Sequence, residues 1–264
     1  MLGKLIKYDF KWMMKQLMPF YILTVVFAIA VRILSGLEST VALEIFKGIA
    51  TGTMYSLMVA SIINMAIRNW VRFRISIFGD EAYLTHTLPV KKSDIFLSKF
   101  VLALVSSLIT CIVVFGGILI AYYSKANLDT VMAFLDEFSS IVGVNATFFC
   151  VMIVVLFYLE ILNMIVCGFV GAIIGHKFNN HKIGFSVLFG FVTYTVSQAV
   201  VLLGMLIVGI LNKDFMITIF KTNTITDFRI MNDLFIVSGI TYLLCIIAEN
   251  IVGIKLLSKG VNVD

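Results

Sequence analysis

The sequence predicts an all-α, polytopic membrane protein with six transmembrane helices. Three observations carry this expectation. Of the 264 residues, 61% are hydrophobic and 13% charged, about half the charge of an ordinary soluble domain. Six apolar runs approach or exceed the roughly 20 residues a helix needs to cross a hydrocarbon core of about 30 Å. The basic residues gather on alternate connections between those runs. Helix is the expected form because lipid offers backbone N–H and C=O groups no partner. Only Pro19 and Pro89 interrupt the chain's freedom to be helical.

Residues 1–16 read as an amphipathic helix lying in the membrane interface. Lys4, Lys7, Lys11 and Lys15 recur at helical spacing, with Leu2, Leu5, Ile6, Trp12, Met13 and Leu17 mostly on the other face. Such a helix would turn its lysines toward anionic head groups. No small-residue cleavage site ends the first run, so it is expected to stay as a span. The spans are placed near 17–34, 48–67, 100–122, 147–175, 183–211 and 234–254, in a single transmembrane domain. The fourth and fifth exceed the bilayer and must tilt, bend or project. The Gly48–Gly52 pair, and Gly168, Gly171 and Gly175, invite close helix approach. Between spans, 123–146 carries an amphipathic pattern (Leu128, Val131, Met132, Phe134, Leu135, Phe138), and 212–233 mixes Phe215, Ile219 and Phe220 with Lys213 and Lys221. Both are expected on the outer surface or partway into the membrane.

Charge sets the orientation. Residues 1–16, the 68–99 connection, the 176–182 connection and the tail hold 14 of the 20 Lys and Arg residues. Acidic residues lean the other way, with Asp129, Asp136, Glu137 and Asp233 on the opposite side. The positive-inside rule puts both termini and the 68–99 connection in the cytoplasm. The formal net charge of +5 does not point to nucleic acid, because the basic residues flank spans instead of forming a solvated patch. The four cysteines, Cys111, Cys150, Cys167 and Cys245, all fall in apolar runs without metal spacing and read as packing residues. His176 and His181 read as residues of a solvated turn, and no metal site is expected.

The 68–99 connection is the largest cytoplasmic one. It sets Ile75, Ile77, Phe78, Tyr83 and Leu84 beside Arg72, Arg74, Asp80 and Glu81, and Ser93 is placed to cap the helix that runs into span three. A short amphipathic helix held between two spans suits either docking on a soluble partner or resting on lipid. The stretch from Phe78 reads Glu81, Tyr83, Thr87-Leu88-Pro89-Val90, Lys91-Lys92 and then Lys99. With the basic start and six spans, it resembles the ABC-2 type permeases, membrane subunits of bacterial ATP-driven exporters. The motif covers about 20 positions, whereas the topology covers the whole chain.

That resemblance implies a coupling helix in 68–99, with Phe78, Glu81, Tyr83, Leu88 and Pro89 as the residues that meet an ATPase. It also implies a segment within 212–233 that partly re-enters the membrane from outside, and residence in a bacterial plasma membrane. The chain carries no G-x-x-x-x-G-K-[ST] phosphate cradle. It is therefore expected to be no enzyme by itself and to bind no cofactor. ATP and Mg would sit on a separate ABC ATPase subunit, and a second permease copy, identical or a close paralogue, would complete the path. A peptide toxin or antimicrobial peptide is the favoured cargo. Two intramembrane acids stand out, because a carboxylate in lipid must be neutralised, paired or turned to water. Glu160, with Asn163 one turn on, marks either the translocation path or subunit interface, or an interhelical hydrogen bond to Gln198 or Asn64. Glu249, near the cytoplasmic end of span six, marks the same path or snorkels to the interface. The alternatives are a proton-coupled transporter working through Glu160 and a non-transporting membrane anchor or sensor.

Overall fold

A computed structural model describes residues 2–38, 40–87, 89–142, 145–211 and 230–260. Those residues form eight helices: α1 (Leu2–Ser35), α2 (Val41–Ile77), α3 (Ala82–Thr87), α4 (Lys92–Tyr122), α5 (Lys125–Val142), α6 (Ala146–Gly175), α7 (Lys182–Leu211) and α8 (Ile230–Ser258). No strand occurs among them. Six, namely α1, α2, α4, α6, α7 and α8, are long and apolar enough to cross a membrane. The chain is a multi-pass helical membrane protein. Leu88 and residues 212–229, the bulk of the expected re-entrant segment, lie outside the described residues.

The helices fall into two compact units, one ending at Leu128 and one beginning at Asp129. In the first, α1 packs along α2 and α4, and α3 rests on α2. Its interior is a seam of small and flexible side chains, Ala28, Val31, Ala50, Met54, Met58, Val114 and Ala121. Few hydroxyl and amide contacts pin the helices together. Tyr21 and Thr110 hydroxyls lie 2.6 Å apart, and Asn69 Nδ2 donates to Ser106 Oγ at 3.0 Å. Small residues bring helices near: a Cβ on Gly117 would stand 2.8 Å from the Met58 methyl.

Several boundaries differ from the sequence reading, among them the start of α2, at Val41 where the span was placed from 48. Residues 2–35 form one continuous helix, so no junction separates residues 1–16 from the first span. Met13 and Leu17, expected to face lipid in the interface, are fully buried, while Lys4, Lys7, Lys11 and Lys15 stay exposed. Protein packing thus takes Met13 and Leu17, while Leu5, Ile6 and Trp12 are only partly buried. The second helix runs on to Ile77, ten residues past the expected end of its span at 67. At 37 residues it measures about 55 Å, far beyond the hydrocarbon thickness, so its Arg68–Ile77 end projects as helix where a loop was expected. Finally, Lys91 and not Ser93 precedes α4, and no side chain caps that end.

In the second unit α6, α7 and α8 pack mutually. Gly171 and Gly175 let α7 in: an added Cβ would meet the Gly190 and Ser186 backbones at 2.2 Å. Gly204 does the same for α8, where a Cβ would lie 2.9 Å from Thr241 Oγ1. The Gly48–Gly52 pair is not such a site, since a Cβ at either position meets nothing within 4 Å. Spacing reveals a small-residue stripe but not which face of the helix a neighbour occupies. Within the amphipathic 123–146 segment α5 covers Lys125–Val142, and an aromatic run joins it to the bundle: Phe138 to Phe149 at 4.8 Å, and Phe149 to Phe235 at 5.4 Å between ring centroids.

Candidate functional site

Two polar constellations stand out, one in each unit. In the first unit a charged knot binds the projecting helix ends. Asp9, one turn above Met13 on the buried face of α1, is 2% exposed. Its carboxylate accepts from Arg72 Nε of α2 at 2.6 Å and from Lys99 Nζ of α4 at 2.5 Å. Arg72 uses its fork in a second direction, Nη1 donating to Glu81 Oε1 at 2.8 Å just ahead of α3. The Trp12 ring lies 5.4 Å from the guanidinium carbon, close enough for cation–π attraction. Two cations and two anions neutralise each other. That balance is what lets Asp9, Arg72 and Lys99 stay buried, since an unpaired buried ion costs several kcal/mol. Lysine in place of Arg72 would reach one carboxylate as a point charge and not both.

The knot presents α3. The chain leaves α2 through Phe78, whose N–H bonds to Arg74 O at 2.8 Å, and turns at Gly79–Glu81 before the six residues of α3. Phe78 is 1% exposed and Phe96 packs edge-on against Phe73 beside it. Thus Phe78 is an anchor of the turn and offers no outward surface. Glu81 is tied to Arg72. Tyr83 and Leu84 project, at 67% and 73% exposed. Pro89 is exposed as well. Of the five residues read from the 78–89 stretch, Tyr83 and Pro89 offer surface, Phe78 and Glu81 position the turn, and Leu88 lies outside the described residues. Leu84 was noted in the sequence but not singled out.

In the second unit a polar ladder climbs α6. Glu160, Asn163 and Cys167 share a face by their spacing. Glu160 sits about 21 Å from the start of α6, near its middle. Tyr194 OH of α7 donates to Glu160 Oε1 at 2.5 Å, and Gln198 Nε2 donates to the two carboxylate oxygens at 2.8 and 3.0 Å. Tyr242 OH of α8 donates to Gln198 Oε1 at 3.1 Å. One turn along, Asn163 and Ser197 exchange hydrogen bonds at 2.8 and 3.1 Å. One further turn along, Cys167 Sγ donates to Glu249 Oε1 at 3.1 Å. Glu160 thus meets Gln198, one of the two partners foreseen for it. Asn64, the other, donates to Ala60 O within its own helix.

Glu249 is 8% exposed and does not reach out to an interface. Cys167 is more than an apolar filler, because it supplies the S–H that Glu249 accepts. Tyr194, Tyr242 and Asp9 were not foreseen. Asp9 had a readable signal, the one acid inside a run of four lysines at helical spacing. The two tyrosines sit in apolar runs, where nothing local marks them. At the other end of the α6–α7 pair, His176 is buried with Nδ1 2.8 Å from Ala172 O and 3.2 Å from Ser186 Oγ. Among the described residues no group of three or more His, Cys, Asp or Glu side chains is placed to hold a metal.

The first constellation is structural in its chemistry: charges tie three long helices to a short exposed one. The second is a carboxylate with phenol and amide partners. The fold and these sites define a polytopic helical membrane protein with a small presented helix. No family model matches the chain, and no curated protein or solved structure gives a significant match.

Proposed function

We propose that this chain is the permease subunit of an ATP-driven exporter of the ABC-2 type, working with a separate cytoplasmic ATPase. The single observation that supports this reading most is α3. It is a six-residue helix, tethered between two long helices, with Tyr83 and Leu84 turned outward. A partner that gripped those two side chains would pull on Glu81. Glu81 pulls Arg72, and Arg72 shares Asp9 with Lys99. Motion at α3 would therefore reach α1, α2 and α4 together. The resemblance of the 78–99 stretch to the ABC-2 permeases points the same way.

In this reading both termini and α3 are cytoplasmic, the membrane is a bacterial plasma membrane, and two permease copies enclose the path. Support for a second copy comes from α7, which buries only 17% of its apolar window against 39% for α4. An apolar face that wide is available to lipid or to another bundle. An amphipathic peptide is the favoured cargo. The exposed lysines of α1 would rest against anionic lipid.

The test is co-purification from native membranes. An ATPase should accompany the tagged chain and be lost from the Tyr83→Glu/Leu84→Glu variant, which alters exposed positions and leaves Phe78 in its core. Retention of the ATPase by that variant would move the docking surface elsewhere. Transport that follows a pH gradient and survives ATP depletion would replace this reading with the proton-coupled one.

A further inference from the structure

The Glu160 cluster of the second unit has its own electrostatic demand. The hydrogen bonds to the Glu160 carboxylate come from neutral groups, Tyr194 and Gln198, with the Tyr242 hydroxyl also in reach. Among the described residues of the second unit, the basic side chains are His176, Lys177, His181, Lys182, Lys255 and Lys259, all at or beyond helix ends. Lys182, on the same helix as Tyr194, is 12 residues and about 18 Å along the axis from it. The same bundle holds a second carboxylate, Glu249, 8% exposed, whose Oε2 meets no hydrogen-bond donor among the described residues. Glu160 thus lies at mid-helix with no base at its depth among the described residues of its unit, whereas Glu249 lies six residues from Lys255 on α8. An acid at such depth is neutralised, paired or turned to a polar cavity, and a cationic ligand would pair it.

The cluster is also accessible. Glu160, Tyr194, Gln198 and Tyr242 are each only half-buried. Their chemistry selects among cations. A hard metal ion seeks six or more oxygen ligands, whereas here the Tyr194 hydroxyl and the Gln198 amide both point hydrogens at the carboxylate. An ammonium group needs less: a carboxylate for its N–H groups and aromatic faces for its charge. Glu160 supplies the first, and the hydroxyls of Tyr194 and Tyr242 bring two rings to the cluster from two other helices.

We infer that the Glu160–Tyr194–Gln198–Tyr242 cluster is a binding site for the primary ammonium group of an amphipathic molecule. This deepens the export reading, on which it rests for its role in transport, by giving the cargo a cationic end. Binding itself needs neither the ATPase nor ATP, so the two can fail separately.

The experiment uses the full chain in nanodiscs of zwitterionic lipid, without ATPase, titrated with dansylcadaverine, a fluorescent amphipathic primary amine. Its N-acetylated form, which lacks the charge, is the control. Saturable binding is expected, weaker by about tenfold or more for the acetylated form and for Glu160→Gln, the scale of one charge-assisted hydrogen bond. Glu249→Gln should bind within about twofold of the parent chain, because it removes the other acid only. Tyr242→Ala, which keeps the Glu160 carboxylate but removes the ring and its hydroxyl, should weaken binding several-fold. Absence of saturable binding, equal binding of the acetylated form, or unchanged binding by a folded Glu160→Gln chain would each overturn the site. If the amine binds as expected but does not raise ATP turnover of the assembled complex, the site stands and the export reading falls.

Discussion

Asp9 is the residue on which the first unit's charged end depends. It carries the only carboxylate shared by Arg72 and Lys99 among the described ion pairs. Replacing it with alanine strands two buried cations, and breaking a buried pair in that way typically costs about 3–5 kcal/mol. Asp9→Ala should therefore unfold at markedly lower denaturant in detergent. Removing charge from both partners, as in Asp9→Leu/Lys99→Met, should recover most of that loss, because Arg72 keeps Glu81 and no lone ion remains. Glu81→Gln should cost less than about 1 kcal/mol, since the Glu81 side chain is 45% exposed and water screens the pair. An equal cost for Asp9→Ala and Glu81→Gln would show that the knot is not the stabilising unit described above. At this scale the sequence was only partly readable. Glu160 and Gln198 could be paired by depth in their spans. Tyr194, Tyr242 and Cys167 could not, because an isolated polar atom in an apolar run acquires meaning only from the neighbour it faces.

At the scale of helices, the glycines separate two roles. Gly171→Leu and Gly175→Leu should drive α6 and α7 apart, since even a Cβ would collide with backbone at 2.2 Å. Both should lower the thermal midpoint and yield of the purified chain. Gly48→Ala and Gly52→Ala should be neutral or stabilising by up to about 1 kcal/mol each, from the lower backbone entropy of alanine in a helix. Hydropathy located all six long helices yet misjudged several of their ends. The reason is physical. Hydropathy reports where lipid begins, whereas a helix continues as long as its backbone bonds are satisfied and its side chains find packing. The Arg68–Ile77 end of α2 finds both: Asn69 bonds to Ser106, Arg72 to Asp9, and Phe73 packs on Phe96. The N-terminal stretch behaves alike, with Met13 and Leu17 buried where a surface-lying helix would have left them to lipid.

For the whole molecule, the account comes down to where α3 points. In the proposed orientation, which follows the positive-inside rule, α3 lies in the cytoplasm. The proposed coupling to an ATPase requires that side. Leu84 is the position to probe, being 73% exposed at the centre of the presented helix. In a background with Cys111, Cys150, Cys167 and Cys245 replaced, a Leu84→Cys chain should resist a membrane-impermeant maleimide in intact cells and react once the membrane is permeabilised. Reaction in intact cells would put α3 on the outer face, and no cytosolic ATPase could then drive this protein through it.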